Sequence, residues 1–137
     1  MLFRSPTRKI DGLDIGPLLT GVSTAKSPHD SYWFYWGGEL HAIRSGKWKL
    51  HFRHPFPHID EPGADGRPGK ISQHKTDLAL YDLEADVSES NNVAAQNPEV
   101  VAKLTTLAEI ARDDLGDSLT KRQGSGIRPA GQKVPAK

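Results

Sequence analysis

At 137 residues, with 36% hydrophobic and 26% charged side chains, the chain is long enough to bury one modest core and has the make-up of an ordinary globule. A net charge of +1 gives no general argument for nucleic-acid or membrane-surface binding, and no apolar run approaches the ~20 residues of a membrane-spanning helix. With no cysteine there is no disulfide framework, no thiolate metal site and no cysteine nucleophile.

"MLFRSPTRKI" has only three consecutive apolar residues before Arg4, so no secretory signal is expected there: either the chain is cytoplasmic or its true amino terminus is missing. "KIDGLDIGPLLTG" (Lys9 to Gly21) predicts a turn and one short helical turn closed by Gly21, followed by a polar loop over residues 22 to 30. "SYWFYWGGEL" then carries five aromatics in a row, Tyr32 to Trp36, with high β-propensity and no alternation, the pattern of an interior strand covered on both faces. Gly37-Gly38 is a two-residue hairpin turn.

Strands "ELHAIR" and "KWKLHF" follow, joined by Ser45-Gly46. A two-residue turn there pairs Arg44 with Lys47, Ile43 with Trp48, Ala42 with Lys49 and His41 with Leu50. One face then holds Ile43, Trp48 and Leu50; the other holds Arg44, Lys47, Lys49 and His51, either a solvated outer face or an anion-facing patch.

Arg53 to Asp77 is rich in Pro, Gly and His, and it reads as a loop long enough to be functional or disordered. "LALYDL" (Leu78 to Leu83) gives a fourth strand. Asn97 as N-cap, Pro98 as first residue and Gly116 as stop predict a helix over 98–115. Its apolar stripe is Val101, Leu104, Ala108, Ala111 and Leu115, widened by Val100, Leu107 and Ile110. The predicted fold is α+β, a small four-stranded antiparallel sheet with one long helix packed on a face. Ser118 to Lys137, with five basic residues and no acid, is expected to be an extended tail.

Gly124-Ser-Gly126 lacks the flanks of a phosphate loop, and no serine sits in a nucleophile elbow. His54, His58, Asp60 and Glu61 are too loosely spaced for a metal site, and Pro55 and Pro57 exclude a helix that could hold them together.

"KIDGLDIGPLLTG", "LHAIRSGKWKLHF", "LYDLEADVSESNNVA" and "NPEVVAKL" together resemble, in order from Lys9 to Gly116, the carboxy-terminal region of the arylsulfatase-like sulfatases. The family usually has Pro after the Asp at position 86, where this chain has Val87. The resemblance makes residues 1–21 the lead out of a catalytic domain, 22–117 the α+β subdomain and 118–137 a basic tail. It implies that the last strand is joined to the helix through Asp86, which accepts from backbone amides ahead of it with Glu89 in a capping-box-like relation, and through left-handed turns at Asn91 and Asn92.

The same resemblance implies sulfate-ester hydrolysis by a formylglycine made from Cys or Ser in a Cys/Ser-x-Pro-x-Arg motif, with calcium as cofactor, in a large amino-terminal domain. "SPTR" (Ser5 to Arg8) fails that motif, because Pro and Arg follow the serine by one and three residues instead of two and four. The expectation is therefore a fragment inactive alone, with no cofactor of its own: a truncated product, a misplaced start or one part of a split enzyme. Its expected partner is the missing catalytic domain, and a sulfated substrate enters only in the whole enzyme. Without that domain an apolar patch that includes some of Tyr32, Trp33, Phe34, Tyr35 and Trp36 is expected to stay exposed, and the chain to self-associate or be marginally stable. The substrate-cleft candidates are His54 and His58, after them Lys49 and His51, of which His51 occupies a family motif position. The alternative is a standalone module that binds anions or sulfated glycans through the cationic strand face and the long loop.

Overall fold

The computed structural model describes residues 12–127. Ser5–Arg8, the beginning of the Lys9–Gly21 turn and the end of the basic tail lie outside the described residues. The chain divides between Asp30 and Ser31 into two compact units. In the first, Asp14 Oδ1 accepts from the Gly16 amide (2.8 Å) and starts the short helix α1, Gly16–Leu19. Gly21, at φ 72°, takes the left-handed conformation that ends it.

The second unit is built on a four-stranded antiparallel sheet in the order β1-β2-β3-β6: β1 Tyr32–Trp36, β2 Glu39–Ser45, β3 Trp48–His51 and β6 Ala79–Asp82. The expected meander is present, with two corrections. First, β1 is an edge strand, its end residues Tyr32 and Trp36 exposed and its centre half-buried. Second, the β2–β3 turn is Gly46-Lys47, pairing Ser45 with Trp48, Arg44 with Lys49, Ile43 with Leu50 and Ala42 with His51. Sliding the turn by one residue moves the ladder by two, so Ile43, Trp48 and Leu50 keep one face and Arg44, Lys49 and His51 the other. Gly46, at φ 57°, fills the turn position that needs a left-handed residue.

Between β1 and β2 the register jumps from Phe34↔Ala42 to Tyr35↔Leu40, leaving His41 as a bulge residue. The bulge brings Leu40 to the same face as Ile43, and both are fully buried with Leu50 and Leu80, with Phe52 packed beside them. The long helix α2, Pro98–Leu115, closes this core with Leu104, Ala108 and Ala111. Ile110 and Leu115 are not part of it, standing 55% and 40% exposed; Arg112 is buried instead. Asn97 does hold the N-cap position, but its side chain donates back to Val93 O (2.9 Å) and caps nothing.

Arg53 to Asp77 is not a loop. It forms a hairpin of β4, His54–Glu61, and β5, Lys70–Thr76. Pro55 and Pro57 fit because alternate residues of a two-stranded ribbon turn their amides outward, where no hydrogen bond is lost. Only His54 is buried along the two strands, and the arm is otherwise largely exposed.

The start of the expected tail folds back. β7, Gly116–Asp117, pairs with β8, Arg122–Gln123, around a 3-10 turn at Ser118–Thr120. Ser125 and Gly126 then donate to the last-turn carbonyls of Asp113 (2.8 Å) and Asp114 (2.7 Å), which satisfies helix-end acceptors that would otherwise need water.

Candidate functional site

The sheet face opposite α2 carries Phe34, Ala42, Lys49, His51, Ala79 and Tyr81 in register. The alanines on either side of His51 leave room for larger groups above them. Lys49 Nζ lies 4.8 Å from the Phe34 ring centroid and donates to Glu89 Oε1 at 2.6 Å. Glu89 Oε2 is 2.8 Å from His51 Nε2. Burial pushes the His51 pKa below the ordinary imidazole value, helped by Lys49 and opposed by Glu89.

Glu89 comes from the connector between β6 and α2, where its backbone is left-handed at φ 56°. Asp86 does accept from the amides ahead, Ser90 (2.8 Å) and Asn91 (2.7 Å), and the Asn91 amide most of all holds its pKa below the usual carboxylate range. The capping-box-like role for Glu89 is not realised, because its carboxylate reaches the sheet instead. The left-handed residue is Glu89, not Asn91 or Asn92. Asn92 Oδ1 accepts from the Leu80 and Ala94 amides (3.0 Å each), tying the connector to the outer edge of β6.

His54 begins the β4–β5 arm and packs over the same sheet face. Its ring stacks on His41 at 3.8 Å between centroids and 15° between planes, and lies 5.7 Å from His51. His54 Nδ1 is 2.7 Å from Phe52 O, so it carries the proton, and the neutral ring presents a lone pair at Nε2. His41 Nε2 meets Glu39 Oε2 at 2.9 Å. Further along the arm Phe56, His74 and His58 continue the row: 6.4 Å from His54 to Phe56, 5.9 Å from Phe56 to His74 and 4.6 Å from His74 to His58.

Three of the four candidates, Lys49, His51 and His54, are thus brought together, and His58 stands apart on the exposed part of the arm. His41, Glu39 and Glu89 belong to the cluster without having been singled out by sequence. Beside His54 opens a cleft of ≈ 510 Å³ lined in part by Phe52, Arg53, Lys75, Arg112 and Leu119. Among the described residues no group of three or more His, Asp or Glu side chains is placed to hold a metal ion. The calcium implied by the resemblance therefore has no donor set among them.

Residues 27–134 match the family model for the C-terminal region of aryl-sulfatase. The chain belongs to the sulfatase family, as a C-terminal region. This sulfatase region is 36% identical over 114 residues to human arylsulfatase A, covering 74% of the chain and 22% of that protein. It is 42% identical over 73 residues to the N-acetylgalactosamine-6-O-sulfatase of Bacteroides thetaiotaomicron, covering 50% of the chain and 12% of that protein. A solved structure from work on glycosaminoglycan metabolism in the same bacterium aligns at 40% identity over 52% of the chain and 14% of its own, with a TM-score of 0.36, too low to add weight. The sulfatase region thus spans about a fifth or less of the curated relatives named here.

Proposed function

We propose that this chain is the C-terminal subdomain of a sulfuric ester hydrolase, with a structural and cleft-rimming role and no hydrolysis of its own. Formylglycine and calcium belong, on this reading, to the catalytic domain of the family. The observation that carries it is the β4–β5 arm. A two-stranded ribbon is marginal in water by itself, yet this one exposes the cross-strand pair Ile59 and Ile71, each 62% accessible. A catalytic domain packed against the arm covers the isoleucines and brings His58 and His54 to the rim of a sulfated substrate's cleft, with Lys49 and His51 behind them.

The purified chain should leave p-nitrophenyl sulfate unhydrolysed; turnover above a buffer blank that survives repurification would end the proposal of inactivity. Mixing with a separately expressed sulfatase catalytic domain should protect the arm from proteolysis, and an unprotected arm in a demonstrated complex would end the rimming role. The alternative of a standalone anion- or glycan-binding module needs Lys49 and His51 to give up Glu89, which already bridges both. Salt-sensitive retention of the chain on heparin, lost in Lys49→Ala, would favour it.

A further inference from the structure

We propose that the stacked His41–His54 pair is an acid-released latch for the β4–β5 arm: neutral rings seat the arm on the sheet, and a proton on His54 frees it. Among the residues of β4 and β5 only His54 is buried, at 7% accessibility, so the arm's packing on the sheet is concentrated in one titratable side chain. The ring is fixed from two directions, by the hydrogen bond from Nδ1 to Phe52 O (2.7 Å) and by the face-to-face stack on His41 (3.8 Å).

The surroundings decide what a proton does there. From β2 come His41 and Glu39, and from β3 Lys49 and His51. The connector supplies Glu89, engaged by both of those. Lys75 comes from β5, and Arg53, which precedes β4, is paired with Asp77 at 3.4 Å. From α2 and the segment after it come Arg112 and Asp117, paired with each other at 2.9 Å. Glu39 Oε2 stands 2.9 Å from His41 Nε2. A proton on His54 meets no carboxylate contact among the described residues, in a buried site that faces a second imidazole and Lys49. Burial, His41 and Lys49 all push the His54 pKa down, against the Phe52 carbonyl and Glu39. When His54 does take a proton, solvation favours the ring leaving the sheet. Pro55 and Pro57 fix two of the next three φ angles, so a change at His54 is transmitted along β4 as a turn of the arm.

The chain has no cysteine, so Ala64→Cys at the arm's far end and Lys103→Cys on α2 give a unique pair of spin-label sites. Their distance distribution should be narrow at about pH 7.5 and shift or broaden by several ångström at about pH 5, within the imidazole range. His54→Phe, which can still stack, should keep the narrow distribution at both. An unchanged distribution in the parent chain, or the same acid shift in His54→Phe, would overturn the latch. So would coincidence of the shift with loss of the helical circular dichroism signal, which reports global unfolding. If His54→Phe does not fold, proton NMR of the parent decides. The arm's movement should follow titration of the His54 ring, and movement that follows His58 or His74 instead would overturn the proposal.

Discussion

Asp117→Ala tests the part of the core that is ionic. The Asp117 carboxylate is 1% accessible as a residue and makes three contacts: Arg112 Nε at 2.9 Å, and the amides of Leu119 (3.1 Å) and Leu40 (3.3 Å). Arg112 is itself buried, with its guanidinium 4.5 Å from the Phe52 ring centroid and a second carboxylate, Glu109, at 2.7 Å. Removing one partner of a buried pair costs about 3–5 kcal/mol, and each buried amide left without an acceptor about 1–3 kcal/mol more. Glu109 still holds Arg112, and relaxation of the Ser118–Thr120 turn lets water reach the Leu119 amide. The net loss is about 4 kcal/mol, a large share of the ~5–15 kcal/mol that stabilises a small domain. With a urea slope near 2 kcal/mol/M the unfolding midpoint falls by about 2 M. Urea melts followed by circular dichroism measure it. A midpoint shift below about 0.5 M at unchanged slope would refute the reasoning, because it would mean that the pair is effectively hydrated. Arg112→Met combined with Asp117→Leu should recover most of the loss, since no unpaired charge remains.

Acidification should destabilise the chain in two stages. His54 and His51 are both held below the ordinary imidazole value. The unfolded chain therefore takes up protons first: their contribution is complete above about pH 6.5 and falls as pH drops toward the folded values. Asp86 and Glu109 are held below the usual carboxylate range, and their contribution is lost as pH falls below about 4. Melting temperature against pH checks both, and a flat profile between about pH 7.5 and 5.5 would contradict the first stage. Asn92→Ala should cost about 1–3 kcal/mol, because the amide of the fully buried Leu80 loses its acceptor; an unchanged urea midpoint would contradict this. In Gly124→Ala the new methyl group meets the backbone of Leu115, Asp114 and Gly116. It should unseat β8 and expose the last turn of α2, seen as faster amide exchange at Gly126 and Ser125, and unchanged exchange there would contradict it.

The elements governed by local chemistry were legible in the sequence. Pro98 and Gly116 bracket α2 because one supplies a preset φ without needing its amide and the other a left-handed stop. The two faces of β2 and β3 follow from alternation alone, which is why they survive a misplaced turn. The arm was legible too, but in a pattern easily passed over: "HPFPH" alternates rings with prolines, so His54, Phe56 and His58 share one side of a strand. What could not be read was long-range. Leu40 and Ile43 reach the same core only because His41 bulges. Arg112 displaces Ile110 from the buried face because Asp117, five residues on, folds back to meet it. Glu89 looked like a local cap and instead reaches 40 residues back to Lys49. Nothing in a one-dimensional pattern specifies those meetings, and the candidate cluster is made of them. Of its members, sequence reasoning found Lys49, His51 and His54 and missed Glu89, the carboxylate that holds the first two, and the His41–Glu39 pair.

The prolines of the arm also bear on what the chain does not do. A ribbon of two strands has two free margins, and a neighbouring molecule can extend it by strand addition if that margin offers both donors and acceptors. On β4 the outward positions include Pro55 and Pro57, which have carbonyls but no N–H groups. An incoming strand finds acceptors there and no matching donors, so the ladder cannot propagate from that side. Strand addition is thereby confined to the β5 margin, where Lys70 and Lys75 put charge on an edge that has no proline.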